Sequence, residues 1–71
     1  MPTIHRRDIA KALRDGLTDA DGIAERFRCG RASRNYILGE LHHMKRDGLA
    51  LRDGARWTLT SKGREYAEAR P

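Results

Sequence analysis

The sequence predicts a small α+β domain, in which short amphipathic helices form a core that one β-hairpin closes. Three observations support this prediction. Apolar residues recur at helical spacing in three segments before residue 47, Asp-Gly pairs end two of those segments, and the stretch GLALRDGARWTLTSKG at 48–63 changes to a hairpin pattern. The chain of 71 residues has room for one domain over 1–71, with a net stability on the order of 3–5 kcal/mol.

The first helix is expected to run over about 4–14, with Thr3 as its N-cap. Its apolar residues Ile9 and Leu13 lie one turn apart, and an Asp-Gly pair follows its last turn. The next apolar residue, Leu17, is expected to enter the core as a short extended link.

A second, short helix is expected after the sequence TDAD. Thr18 stands at the cap position and Asp21 follows three residues later, a spacing that resembles a capping box. Apolar residues then recur every three or four positions, which predicts a buried face formed by Ala20, Ile23, Ala24 and Phe27.

The third helix is predicted to begin near Ser33, a natural N-cap, and to stop at Asp47-Gly48. A rotation of about 100° per residue gives this helix two different faces. Its core face holds Ile37, Leu41 and Met44. Its outward stripe is polar and small, and it consists of Asn35, Gly39, His42 and Arg46.

The hairpin that follows has two candidate registers. A two-residue Asp53-Gly54 loop would set Leu51 opposite Arg56 and mix apolar and charged side chains on one face. A three-residue loop over 53–55 instead pairs apolar residues with one another, Leu49 with Leu59 and Leu51 with Trp57. We expect the second register.

In that register the opposite face of the hairpin is basic at its tip. Arg52 would stand opposite Arg56, and two like charges repel each other by a fraction of a kcal/mol. An anion between them would reverse the sign, so alanine at either position is expected to leave the fold intact and to raise its stability slightly. A last short helix, capped by Thr60 or Ser61, is then expected to pack Tyr66 and Ala67 on the core. 

The positive charge of the chain is concentrated in its second half. The net charge is +5, yet nine Lys and Arg residues stand against three Asp and Glu residues between positions 28 and 64. Such a concentration in a small domain suggests a polyanionic partner, most often a nucleic acid. A solvated arginine-rich surface without a partner is the alternative reading.

The order of these elements resembles the winged helix-turn-helix family. The segment IAERF at 23–27 resembles the positioning helix of that family, and the segment at 33–49 resembles its recognition helix and entry into the wing. The sequence LTSKGREY at 59–66 resembles the ending of MarR-like and PadR-like regulators from bacteria or phages. The turn between Phe27 and Ser33 is longer than is usual in the family, which leaves the start of the recognition helix open.

The resemblance implies three helices, a two-stranded wing and a short C-terminal helix, and a function in sequence-specific binding of double-stranded DNA. The third helix, over about 33–47, would read the major groove, and the wing, over 49–59, would contact backbone or minor groove. The candidate contacts are Arg31, Ser33, Arg34, Asn35, Tyr36, His42, Arg46, Arg52 and Arg56.

Within this set, Asn35 and Arg34 are the expected base readers, because Asn pairs with adenine and Arg with guanine. Arg31 could contact a guanine or a phosphate. Tyr36 would donate to a phosphate or lie half-buried beside the second helix. Gly39 would make room for DNA or would simply be tolerated.

Other functional classes find little support in the sequence. No nucleophile–base pair, phosphate loop or carboxylate dyad is recognisable, so neither an enzyme nor a cofactor is expected. His42 and His43 are adjacent on a helix and diverge by about 100°, which argues against a shared metal ion. Cys29 lies between basic residues and is either oxidisable or an inert buried thiol.

The alternative function is a winged-helix module for protein interaction, or an architectural module in a replication, excision or packaging complex. Such a module should expose an apolar patch, for which Leu38 is the main candidate. We expect a cytoplasmic protein without a membrane segment or a small-molecule effector. It is expected to be a monomer or weak dimer that pairs on DNA half-sites about 10 bp apart.

Overall fold

The computed structural model describes residues 4–27 and 31–69, apart from the side chains of residues 31–33. Four helices and one two-stranded antiparallel sheet follow one another in this part of the chain. Their bounds are α1 Arg6–Arg14, α2 Ala20–Arg26, α3 Arg31–Arg46, β1 Ala50–Asp53, β2 Arg56–Leu59 and α4 Ser61–Glu68. The predicted α+β class is therefore confirmed.

One apolar side of each helix and the inner face of the hairpin form the core. Helix α2 packs against α3, and α1 packs against α4 and β2. The largest side chains without exposed surface are Ile9, Ile23, Ile37, Leu41 and Met44. Each such side chain contributes about 1.5–3 kcal/mol relative to an exposed position. The apolar faces predicted for the first three helices are thus confirmed.

Helix α1 begins about two residues later than predicted. Its N-cap is His5, and the Asp8 carboxylate accepts a hydrogen bond of 2.9 Å from the His5 backbone N–H. Ile4 precedes the helix and is buried in the core, which explains why the chain enters α1 only after it. Thr3, the predicted cap, lies outside the described residues.

The cap of α2 is Asp19 and not the predicted Thr18. The Asp19 carboxylate accepts a hydrogen bond of 2.6 Å from the Gly22 backbone N–H. Thr18 instead belongs to the extended link, where its carbonyl oxygen accepts a hydrogen bond of 2.7 Å from the Trp57 N–H. Thr18 is therefore joined to the hairpin, and the next polar residue caps the helix.

Helix α3 begins at Arg31, so Ser33 lies in its first turn and not at its cap. Arginine and alanine, the two residues that open the helix, are among the better helix formers, which accounts for the earlier start. Residues 28–30, which include Cys29 and the long turn, lie outside the described residues.

The hairpin has a register that differs from both candidates. Ala50 pairs with Leu59, Leu51 with Thr58, Arg52 with Trp57, and Asp53 with Arg56. The two-residue loop is therefore Gly54-Ala55. Gly54 has φ +62°, a left-handed conformation that glycine adopts without a steric cost and that suits tight hairpin loops.

This register reverses two expectations about the hairpin. Leu51 lies on the outer face and is 58% exposed, whereas the prediction placed it in the core. Arg52 stands opposite Trp57, and Arg56 stands opposite Asp53. The expected direct opposition of the two arginines is therefore wrong, and the register removes the reason for expecting alanine at either position to raise the stability.

Thr60 and Gly63 fix α4 against the turn that follows α3. The Thr60 hydroxyl donates to the Gly48 carbonyl oxygen (2.7 Å) and accepts from the Gly63 N–H (2.9 Å), which confirms Thr60 as the cap. A Cβ atom at Gly63 would lie 1.9 Å from the Leu49 carbonyl oxygen. This approach brings Ala67 into the core and packs Tyr66 against it, as predicted.

A charged cluster joins α1 to α3 at the edge of the core. The Arg6 guanidinium lies 2.9 Å from the Glu40 carboxylate and 3.1 Å from that of Asp47. The hydrogen bond with Glu40 raises the pKa of Arg6 above its ordinary value.

Two helical glycines give a matched test of how closely α4 approaches the Leu49 backbone. Gly63→Ala should destabilise the domain by about 3 kcal/mol or more, because its Cβ would meet backbone that cannot move freely. Gly39→Ala should stabilise the domain by about 0.5–1 kcal/mol, because nothing lies within 4 Å of the added atom. Chemical denaturation of both variants measures the two effects. Equal effects of the same sign would contradict the described packing.

Candidate nucleic-acid interface

The outward stripe of α3 is the first component of the site. Asn35, Gly39, His42 and Arg46 are all exposed, as their spacing predicts. The core residues occupy the opposite side of the same helix. Within the described part of the chain, the Asn35 amide forms no hydrogen bond, so its donors and acceptor are available to a ligand.

The hairpin meets this stripe at Trp57. The His42 ring packs edge-on against the indole, with ring centroids 5.1 Å apart and an interplanar angle of 89°. The Arg52 guanidinium carbon lies 5.5 Å from the Trp57 ring centroid. Trp57 itself is only 2% exposed. One buried indole thus connects an exposed side chain of α3 with an exposed side chain of the hairpin.

Two contacts orient the Arg52 guanidinium. Besides its contact with Trp57, its Nε atom donates a hydrogen bond of 2.8 Å to the Gly54 carbonyl oxygen. Its terminal nitrogens remain available, and no carboxylate in the described part of the chain forms an ion pair with it. The guanidinium is therefore oriented but not neutralised.

Arg34 differs from this arrangement because it has a counter-ion. Its Nε atom donates to the carboxylate of Asp21, which links α3 to α2. The predicted role of Arg34 in reading guanine would therefore require the loss or rearrangement of this ion pair. Its neighbour Asn35 needs no such change.

The other side chains that were predicted to contact DNA have different surroundings. The Tyr36 hydroxyl donates a hydrogen bond of 3.2 Å to the Ile4 carbonyl oxygen, so Tyr36 joins α3 to the segment before α1. Neither the expected phosphate contact nor the expected position beside the second helix anticipated this hydrogen bond. Arg46 lies 3.6 Å from Asp47 and stays largely exposed. Arg56 is exposed on the outer face of the hairpin. The side chains of Arg31 and Ser33 lie outside the described residues.

The structure thus brings together Asn35, His42 and Arg46 on α3 and joins them to Arg52 through Trp57. The outer-face Arg56 is not part of this contact. Trp57 is the residue that sequence reasoning missed, since it was assigned to the core alone. A loop centred on Gly54-Ala55 would have revealed the pairing of Arg52 with Trp57, because facing residues in a hairpin share one side of the sheet.

Comparison with protein-family models, curated proteins and solved structures gave no match. Among the described residues, no helix is long and apolar enough to cross a membrane. In the same part of the chain, no three His, Cys, Asp or Glu side chains converge on a point where a metal ion would fit.

The two hairpin arginines should differ in their effect on stability. Arg52→Ala removes the contact with Trp57 and should lower the free energy of unfolding by about 0.5–1 kcal/mol. Arg56→Ala removes an exposed side chain that forms no ion pair in the described part of the chain, and it should change the free energy of unfolding by less than about 0.5 kcal/mol. Denaturant titrations at one salt concentration compare the variants. A stability gain in Arg52→Ala would contradict a stabilising contact between Arg52 and Trp57.

Proposed function

We propose that this protein binds double-stranded DNA sequence-specifically as a small winged helix-turn-helix transcriptional regulator. In this proposal α3 enters the major groove and the hairpin serves as the wing, in contact with backbone or minor groove. The observation that carries the proposal is the exposed polar stripe of α3, which continues through the His42–Trp57 contact to the unneutralised guanidinium of Arg52.

The chemistry of that surface favours DNA over other ligands. An α-helix fits the major groove, where an exposed Asn can form two hydrogen bonds with adenine. Arginines without counter-ions suit phosphates, and binding to phosphates releases condensed cations. The surface is a helix face beside a hairpin, and its residues do not form a nucleophile–base arrangement, so we propose a binding role and not catalysis.

A protein-interaction module remains the second candidate, and one observation favours it. Leu51 is 58% exposed on the outer face of the hairpin, where a partner could cover it. Leu38, the residue first considered for such a patch, packs partly buried against the core. A single exposed leucine is ordinary on a protein surface, so DNA binding is the better-supported proposal.

A salt-titrated binding assay with a pool of random duplexes tests the proposed function. We expect selection of a common sequence, and log affinity should fall linearly with log salt, with a slope of about 0.9 per phosphate contacted. Binding without sequence selection would leave only an architectural role. Absence of salt-dependent binding would contradict the proposal and favour the protein-interaction module.

Asn35 should carry base readout. Asn35→Ala should cost about 1–3 kcal/mol on the selected site and relax preference at one or two base positions. Arg46→Ala is the comparison, because an exposed arginine near the end of α3 should contact phosphate and weaken binding to all sequences alike. Competition binding with single-base variants of the site separates the two effects. Uniform weakening by Asn35→Ala would show that Asn35 does not read bases.

Gly39 offers a test of how closely α3 approaches the DNA. If the missing side chain makes room for a base or a phosphate, Gly39→Ala should weaken DNA binding at least about tenfold, a loss of about 1.4 kcal/mol. The same variant is expected to be more stable, so the loss could not be attributed to unfolding. Unchanged affinity would show that the glycine is merely tolerated.

The proposed assembly follows from the two-fold symmetry that such sites usually have. The protein would be a monomer or weak dimer in solution and would pair on half-sites about 10 bp apart, or a multiple of that distance. Light scattering of the free protein, together with the spacing in the selected duplexes, tests this expectation. A tight dimer at low concentration would contradict it.

A further inference from the structure

We propose that Trp57 is a platform that holds Arg52 and His42 as a clamp for one backbone phosphate, at the junction between α3 and the hairpin. This inference rests on the proposed DNA binding and identifies the contact that joins its two halves. Arg52 is the phosphate ligand, His42 is a second N–H donor, and Trp57 is a positioning residue that does not itself contact the DNA.

The platform is rigid because both the backbone and the ring of Trp57 are held. Its N–H donates to the Thr18 carbonyl oxygen at 2.7 Å, which fastens β2 to the link between α1 and α2. Its ring is buried and contacts His42 from α3 and Arg52 from β1. Movement of the indole would therefore disturb three separate parts of the chain.

The Arg52 guanidinium is suited to binding an anion because no carboxylate neutralises it and because two other contacts orient it. Five arginines of the described chain have carboxylate partners, namely Arg6, Arg14, Arg26, Arg34 and Arg46, whereas Arg7, Arg52, Arg56 and Arg64 have none there. Arg52 has an aromatic ring and a carbonyl oxygen instead. These contacts fix its orientation without neutralising its charge, so little side-chain freedom remains to be lost when a phosphate binds.

A phosphate fits this position better than a base edge does. The Nε atom of Arg52 is already bonded to the loop carbonyl of Gly54, which leaves the two terminal nitrogens as a forked donor of the shape that phosphate oxygens accept. His42 approaches the same indole from α3. Two donors from separate elements would thus fix the angle between helix and hairpin on the duplex, and they would do so for any base sequence.

The first test uses a duplex of about 20 bp, long enough for two half-sites, and the full-length chain. Arg52→Ala should lower the salt slope by about 0.9, equally for the selected site and for a scrambled duplex. Arg52→Lys keeps the charge but not the planar fork of the guanidinium. It should therefore lower the salt slope by at least half as much as Arg52→Ala does. Lys11→Ala, which removes an exposed charge from α1, is the control for net charge.

Trp57 variants separate positioning from packing. Trp57→Phe keeps an aromatic face and should retain at least half of the wild-type affinity, whereas Trp57→Leu should weaken binding about as much as Arg52→Ala. The double variant Trp57→Leu/Arg52→Ala should bind no more weakly than either single variant, because the two residues act through one contact. Additive losses, or a change in base preference at Arg52→Ala, would overturn the clamp.

The second test uses inorganic phosphate and does not depend on duplex binding. Trp57 is the only tryptophan in the chain, so its fluorescence reports directly on the platform. Phosphate should change the emission of the wild-type protein and of Lys11→Ala, relative to chloride at equal ionic strength, but not that of Arg52→Ala. An identical response in Arg52→Ala would overturn the clamp. A wild-type protein that responds to phosphate but does not bind any duplex would contradict the proposed function and leave the clamp standing.

Discussion

The burial of Trp57 is the constraint on which the arrangement of the domain depends. The indole is buried in the core where the hairpin packs on the helices, and the backbone N–H of Trp57 donates a hydrogen bond to the link between α1 and α2. A domain of this size has few large apolar side chains to use, so one aromatic residue has a disproportionate share of the burial. Because its buried ring contacts the exposed side chains of His42 and Arg52, the same residue also shapes the proposed interface.

Much of the fold could be predicted from the sequence, because helices depend on local signals. The faces of α1, α2 and α3 follow from the spacing of residues such as Ile23, Ile37 and Leu41, and all three are fully buried. The hairpin register was the main error, since it depends on which residues form a loop of only two residues. The three-residue loop over 53–55 was expected because it paired apolar residues with one another, and shifting its centre by half a residue moved Leu51 from the core to the surface.

The site was less predictable than the fold for a related reason. The exposure of Asn35 and His42 follows from helix geometry alone. The ion pair of Arg34 with Asp21 joins two different helices, and the contact of Arg52 with Trp57 depends on the register of the hairpin, so neither contact follows from helix spacing. The two contacts also divide the arginines into a neutralised group and an available one, a distinction that counting charges cannot make.

The hydrogen bond between Thr18 and Trp57 helps to set the fraction of molecules in which the hairpin is closed on the helices. Strands of four residues joined by a two-residue loop are marginally stable alone, so the hairpin is ordered chiefly where it docks on the helices. Any opening of the hairpin would expose Trp57 and break its hydrogen bond to Thr18, so opening would cost much of the burial that holds the helices together. Measured affinity for any ligand of the shared surface then equals the intrinsic affinity multiplied by the fraction of molecules in the closed state, and substitutions distant from the surface would act by changing that fraction.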